Sequence, residues 1–238
     1  MPLIDRWVVR RAFEIIAERK HHPRKIASYA INLSGATIGD SDFVDFVAAL
    51  FAQHDVPPAL VCFEITETSA ISNLDEAQTF IARLREIGCS FSLDDFGTGM
   101  SSIAYLKHLP VDIIKIDGSF VKEILNSKVD RAMVEMITKT AKIMQKQVVA
   151  EFVESLAILD ELRQIGVDYV QGYAIGKPVP VLTSGKKRSP ESPKLSRIGT
   201  FGSFRLFLGL IPRHFPSEKR LKILSLPAPS RLCLTLIP

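Results

Sequence analysis

Between residues 25 and 175, short β-branched runs alternate with amphipathic helical stretches, and no other feature constrains the fold as tightly. A strand–helix alternation builds βαβ units, whose strands run parallel because each crossover helix returns the chain to the same end of the sheet. Strands are predicted at 26–32, 60–65, 90–95, 111–117, 147–151 and 168–172. The helices between them carry apolar stripes at helical spacing: Phe43, Phe46, Val47 and Leu50; Ala77, Phe80, Ile81, Leu84 and Ile87; Val129, Met133, Met136, Ile137 and Met144; Leu156, Leu159, Leu162 and Ile165. An opening helix has Ile4, Trp7, Val8, Ala12 and Ile15 or Ile16 on one face, and Asn73 followed by Glu76 reads as a helix cap.

Polar residues end each predicted strand. Asn32 ends the first, Glu64 the second, Asp94 and Asp95 the third, Lys115 and Asp117 the fourth, Glu151 the fifth and Gln171 the sixth. If the sheet curls into a barrel, these residues converge on the rim where (β/α)-barrel enzymes place their chemistry. Neighbouring aspartates on a strand normally point to opposite faces. Placing Asp94 and Asp95 on one ligand therefore requires a turn, which Gly97 and Gly99 permit. For that segment alone, an aspartate-rich turn with a helix cap is the alternative. Glu64, Asp94, Asp95 and Glu151 against Lys115 leave the rim at −3. Acids packed this closely raise one another's pKa unless cations neutralise them. Oxygen donors without clustered His or Cys favour Mg²⁺ or Mn²⁺ over zinc, and two such ions suit an anionic phosphodiester. Lys115 lies in an apolar run where an unpaired ammonium is costly, so either a catalytic role or a structural ion pair with Asp117 or Asp95 follows.

Several runs resemble the EAL domain of bacterial cyclic-di-GMP phosphodiesterases: Ile31-Asn32-Leu33-Ser34, Phe63-Glu64-Ile65-Thr66-Glu67, Asp94-Asp95-Phe96-Gly97-Thr98-Gly99, Lys115-Ile116-Asp117-Gly118-Ser119-Phe120, Ala150-Glu151-Phe152-Val153-Glu154 and Gln171-Gly172-Tyr173. The resemblance runs from about Pro2 to Pro180 in the family's order and spacing. It implies a (β/α)8 TIM-barrel-like α/β domain that hydrolyses cyclic-di-GMP to linear pGpG with two Mg²⁺ or Mn²⁺ ions, in second-messenger signalling. By position, Asn32, Glu64 and Asp94 resemble ligands of one ion, and Asp94, Asp95 and Glu151 ligands of the other. Glu151 is also the implied general base, and Lys115 would orient the attacking water or steady charge on the phosphorane. Glu67 resembles the residue bracing the loop after Asp95. Asp117 and Gln171 fall beside the site, and Glu154 is at best a supporting group. The family usually has glycine where this chain has Phe152, a change that could crowd the mouth. The family's homodimer is implied as well.

Two departures qualify that picture. The Glu-Ala-Leu motif is absent, and Met1 falls at the helix that follows the family's second strand. The domain at 1–180 is thus expected to be incomplete, with six of eight strands and two parallel edges left open. From Val181 to Pro238 the composition shifts to eleven Lys or Arg against two acids, with half of the fourteen prolines. That segment reads as a basic, Pro/Ser/Leu-rich tail, either disordered or read out of frame, with membrane or partner binding as the sharper alternative. It accounts for the overall charge of +4, so no nucleic acid polymer is expected as a partner. An odd, scattered set of cysteines (Cys62, Cys89, Cys233) and no apolar leader point to a cytoplasmic setting. Three readings therefore stand: a metal-dependent phosphodiesterase, a non-catalytic cyclic-di-GMP receptor, and a gene fragment without biochemical function.

Overall fold

Proline needs no helical amide partner in a first turn, and α1 (Pro2–Arg19) begins on one. The structure is a computed structural model that describes residues 2–19, 26–98, 102–177, 205–209 and 232–237. Val8, Val9, Ala12, Phe13 and Ile16 form the buried face of α1. Ile4 and Trp7, predicted to share that face, are about half exposed, because the packed side is centred on Val9 and Phe13. Buried Asp5 ties the helix down by accepting hydrogen bonds from the Ser34 N–H at 2.9 Å and the Ser34 and Thr37 hydroxyls at 2.5 Å.

Six parallel strands follow: β1 (Ile26–Asn32), β2 (Val61–Thr66), β3 (Ser90–Phe96), β4 (Ile113–Ile116), β5 (Gln147–Ala150) and β6 (Tyr169–Val170). They pair in sequence order and curl into a half-barrel. The helices on the outer face are α2 (Gly35–Ile38), α3 (Phe43–His54), α4 (Glu67–Ser72), α5 (Leu74–Ile87), α6 (Ser102–Leu106), α7 (Gly118–Lys122), α8 (Lys128–Ile143) and α9 (Leu156–Ile165). Strand alternation sends Phe63, Phe91, Leu93, Ile114 and Ile116 toward these helices, where Phe91 meets Phe80 edge-on at 6.2 Å. The opposite face carries Glu64, Ser92, Asp94 and Lys115.

Two expected details differ. On α8 the packed side is Val134, Ile137, Thr138 and Ala141, leaving Val129 and Met136 exposed. Its apolar residues exceed one stripe, so periodicity alone does not choose the inward face. Asn73 precedes α5 but makes no side-chain cap; its backbone carbonyl accepts the Ala77 N–H instead.

Beyond the half-barrel lie β7 (Arg205–Gly209) and β8 (Leu232–Ile237), in the segment read as lacking regular structure. β8 pairs parallel with β1 and antiparallel with β7, so the sheet order is β6-β5-β4-β3-β2-β1-β8-β7. An uncovered parallel edge at β1 presents a row of backbone donors and acceptors, and a short apolar run such as Leu232–Ile237 can satisfy it. The rest of that segment, and Gly99 in the loop after β3, lie outside the described residues.

Gly172 sits where the chain leaving β6 crosses the chain leaving β5. A Cβ there would lie 2.2 Å from the Val153 backbone nitrogen and 2.3 Å from its oxygen. Neither neighbour is a flexible side chain that can move aside. Gly172→Ala is expected to lower unfolding stability by about 3 kcal/mol, read from urea denaturation.

Candidate active site

The parallel register sets Asn32 beside Glu64, Glu64 beside Ser92 and Thr66 beside Asp94, so two successive heights on one face of the sheet gather the polar groups. At its centre is the buried Lys115. Its Nζ lies 2.8 Å from Glu151 Oε1, 2.9 Å from Asp94 Oδ1 and 3.3 Å from Glu64 Oε2. The Asn32 side-chain amide donates to the same Glu64 oxygen at 3.3 Å. The partners of Lys115 are therefore Glu64, Asp94 and Glu151, not Asp117 or Asp95.

β3 breaks its register between Leu93 and Phe96. The turn that this requires occurs at Asp95 itself, with φ of 55°, two residues before Gly97 at 107°. Aspartate tolerates the left-handed region better than most side chains, and the Asp94 carboxylate steadies the bend by accepting the Asp95 N–H at 3.1 Å. The bend brings Asp94, Asp95 and Glu151 together, with one oxygen from each within 4.8 Å of the others. An all-oxygen, anionic set of this kind fits a hard divalent cation.

Burial dominates the electrostatics. It raises the Glu64 carboxyl from its ordinary 4.5 to about 7, against the pull of Lys115. Burial also raises Glu151, again partly offset by Lys115, and raises Asp95, helped there by Asp94 and Asp117. For Lys115, burial favours the neutral amine, but Glu64, Glu151 and Asp94 outweigh it and hold the ammonium well above its usual range. Raised carboxyl pKa values mean that the folded state binds protons more tightly than the unfolded chain. For Glu64 that stabilising contribution is complete below pH 4.5 and disappears as pH rises through about 7. In EDTA, the melting temperature is expected to fall by about 5 °C between pH 5 and pH 8, with Glu64→Gln flattening the slope and millimolar Mg²⁺ offsetting it.

The remaining predicted residues are placed unevenly. Glu67, buried at the start of α4, accepts the Gly97 N–H at 2.9 Å and so ties down the loop after Asp95. Its other oxygen is buried without a protein partner. Asp117 caps α7 by accepting the Ser119 N–H at 2.9 Å. Gln171 contributes its backbone: its carbonyl accepts the Val153 N–H at 3.0 Å, and its own N–H donates to Ala150 at 2.8 Å. Glu154 is exposed, and no contact joins it to the cluster. Ser92 was not singled out from sequence. It is buried on the site's face with an unpartnered hydroxyl, two residues before Asp94, and the period-two rule could have found it.

A curled parallel sheet with acids around a buried lysine at its carboxyl rim defines the class, and the chain belongs to the EAL domain family, which matches residues 1–178. Over 181 residues it is 44% identical to cyclic di-GMP phosphodiesterase PdeB of Shewanella oneidensis, covering 76% of this chain and 21% of that protein. Over 187 residues it is 36% identical to cyclic di-GMP phosphodiesterase PdeF of Escherichia coli, covering 79% and 25%. The chain thus spans a fifth to a quarter of these relatives' length. Among solved structures, the FimX EAL domain from Pseudomonas aeruginosa bound to c-di-GMP superposes with a TM-score of 0.69 at 30% identity, covering 77% of this chain and 73% of that one. The PaMucR phosphodiesterase in complex with c-di-GMP gives 0.68 at 32% identity, covering 75% and 72%. No described helix is long and apolar enough to cross a membrane.

Proposed function

We propose that this chain carries the catalytic rim of a cyclic-di-GMP phosphodiesterase, which opens the cyclic dinucleotide to linear pGpG with two Mg²⁺ or Mn²⁺ ions. One observation carries the reading: the oxygens of Asp94, Asp95 and Glu151 converge within 4.8 Å, beside a lysine that is itself buried. The names of the relatives support the same substrate. Asp94, Asp95 and Glu151 would hold one cation, and Asn32, Glu64 and Asp94 the other. A divalent cation supplies Lewis acidity toward the phosphate and lowers the pKa of bound water.

The chain's own groups account for the rest. Glu151, with its affinity for protons raised by burial, is suited to take the proton of the attacking water. Lys115 stays cationic and presents positive charge where a pentavalent phosphorus would accumulate negative charge. Glu67 anchors the loop that carries Asp95 through the Gly97 amide. Asp117 and Gln171 fix the backbone around the ends of β4, β5 and β6.

A turnover-free receptor is the second reading, and a specific observation favours it. Only three carboxylates, Asp94, Asp95 and Glu151, form a tight oxygen set among the described residues, while Glu64 turns to Asn32 and Lys115. Incubating the 238-residue chain with cyclic-di-GMP and Mn²⁺, and separating products by chromatography, tests both. Appearance of pGpG that EDTA abolishes is the expected result. Binding of the dinucleotide without pGpG would replace catalysis by reception, and neither binding nor turnover would overturn both readings.

A further inference from the structure

Phe152 follows Glu151 directly and adopts φ of 53°, a left-handed conformation that a bulky side chain rarely occupies. Outliers of this kind persist only where the surroundings hold them, and they cluster at functional sites. Two contacts do the holding. A Cβ on Gly118 would lie 2.1 Å from the Phe152 ring, so the ring fills the space left by that glycine. On the ring's face, the Lys122 ammonium lies 4.2 Å from the centroid, within cation–π range. Gly118 and Lys122 both belong to α7, which follows β4, whereas Phe152 follows β5. The ring therefore links the two chain segments that lead from Lys115 and from Glu151, whose side chains meet at 2.8 Å.

The backbone around this link explains what the turn achieves. The Glu151 N–H reaches Ile116 O at a long 3.4 Å, the last bond joining β5 to β4 on this side. Two residues later the chain has swung round, and the Val153 N–H donates to the Gln171 carbonyl at 3.0 Å, on the far side toward β6. The left-handed step at Phe152 makes that swing. Glu151 is thus the pivot between two differently bonded neighbours, and its own long hydrogen bond fixes it only weakly.

We propose that Phe152 is a positioning residue: its ring, seated on Gly118 beneath Lys122, locks the turn after β5 so that the Glu151 carboxylate faces Lys115, Asp94 and Asp95 before any cation arrives. This rests on the reading of Asp94, Asp95 and Glu151 as a cation seat. Phe152 touches no reacting atom and acts through Glu151, by pre-ordering it.

The test compares four versions of the 238-residue chain: the parent, Phe152→Gly, Phe152→Tyr and Gly118→Ala. Two readouts are used, amide hydrogen exchange at Glu151 and Val153, and Mn²⁺ affinity by titration calorimetry. Glycine adopts the left-handed turn without strain but has no ring, so Phe152→Gly is expected to unfold cooperatively. Its Glu151 and Val153 amides should exchange about tenfold faster and its Mn²⁺ affinity fall about fivefold, as disordered ligands bind more weakly. Phe152→Tyr keeps the ring and is expected to stay within twofold of the parent on both readouts. Gly118→Ala displaces the ring from its seat and should reproduce the glycine variant. Phe152→Gly with parental exchange and parental Mn²⁺ affinity overturns the proposal, as does a variant that loses melting temperature while its folded form binds Mn²⁺ normally. If the parent itself takes up no Mn²⁺, the cation seat fails, and the exchange comparison alone decides whether the ring orders Glu151.

Discussion

Replacing Lys115 with methionine is expected to lower unfolding stability by about 3–5 kcal/mol at pH 8 in cation-free buffer, the typical loss when one partner of a buried ion pair is removed. Methionine preserves most of the side-chain volume, so the effect is electrostatic and not a cavity. Glu64, Asp94 and Glu151 would be left within reach of one another without the ammonium that contacts all three at 3.3 Å or less. At pH 5 the loss should shrink to less than half, because Glu64, already raised to about 7, then carries a proton. Urea unfolding at the two pH values measures the difference. Equal losses at both would show that Lys115 holds the fold through packing, and millimolar Mn²⁺ should recover part of the loss at pH 8 if cations occupy the same acids.

Asp94→Ala should have the largest effect on cation uptake. Asp94 belongs to the three-carboxylate set and also touches Lys115 at 2.9 Å, so it joins the two halves of the rim. A unit charge at about 4 Å in an effective dielectric of about 20 is worth about 4 kcal/mol, before allowing for the second charge of the cation. A fall in Mn²⁺ affinity of at least about 100-fold is therefore a conservative expectation, measured by titration calorimetry at pH 8. Unchanged affinity would place the cation away from β3 and remove the basis for the proposed chemistry.

The strands were legible because parallel strands covered on both sides read as apolar runs, which polar residues then interrupt. β1 coincides with its expected span, and β2 to β6 fall within the other predicted segments or one residue from them. Position at a strand end proved a less useful guide than side-chain direction. Glu64 lies inside β2, with Ile65 and Thr66 still paired beyond it, and joins the cluster because it faces the same way as Asp94. The partners of Lys115 were hidden for a related reason. The sequence offers Asp117 or Asp95 as ion-pair partners, whereas the sheet delivers Glu64 and Glu151 from 51 and 36 positions away. The turn after β3 uses Gly97 as expected, at φ of 107°, but it begins two residues earlier at Asp95, which no glycine marks. On α8, surplus apolar residues at Val129 and Met136 made the inward side ambiguous. Short helices such as α2 and α7 leave too little periodicity to detect.

The shared height of Asn32, Glu64 and Ser92 across β1, β2 and β3 carries a consequence for how this domain matures. A slip of a single residue in the pairing of β2 would turn Glu64 to the helix side, burying a charge among phenylalanines. Misaligned intermediates would thus be penalised electrostatically as well as by lost packing. Proofreading of strand alignment and assembly of the chemistry become a single event, and a signal from a lanthanide or Mn²⁺ probe should arise in step with the last stage of refolding.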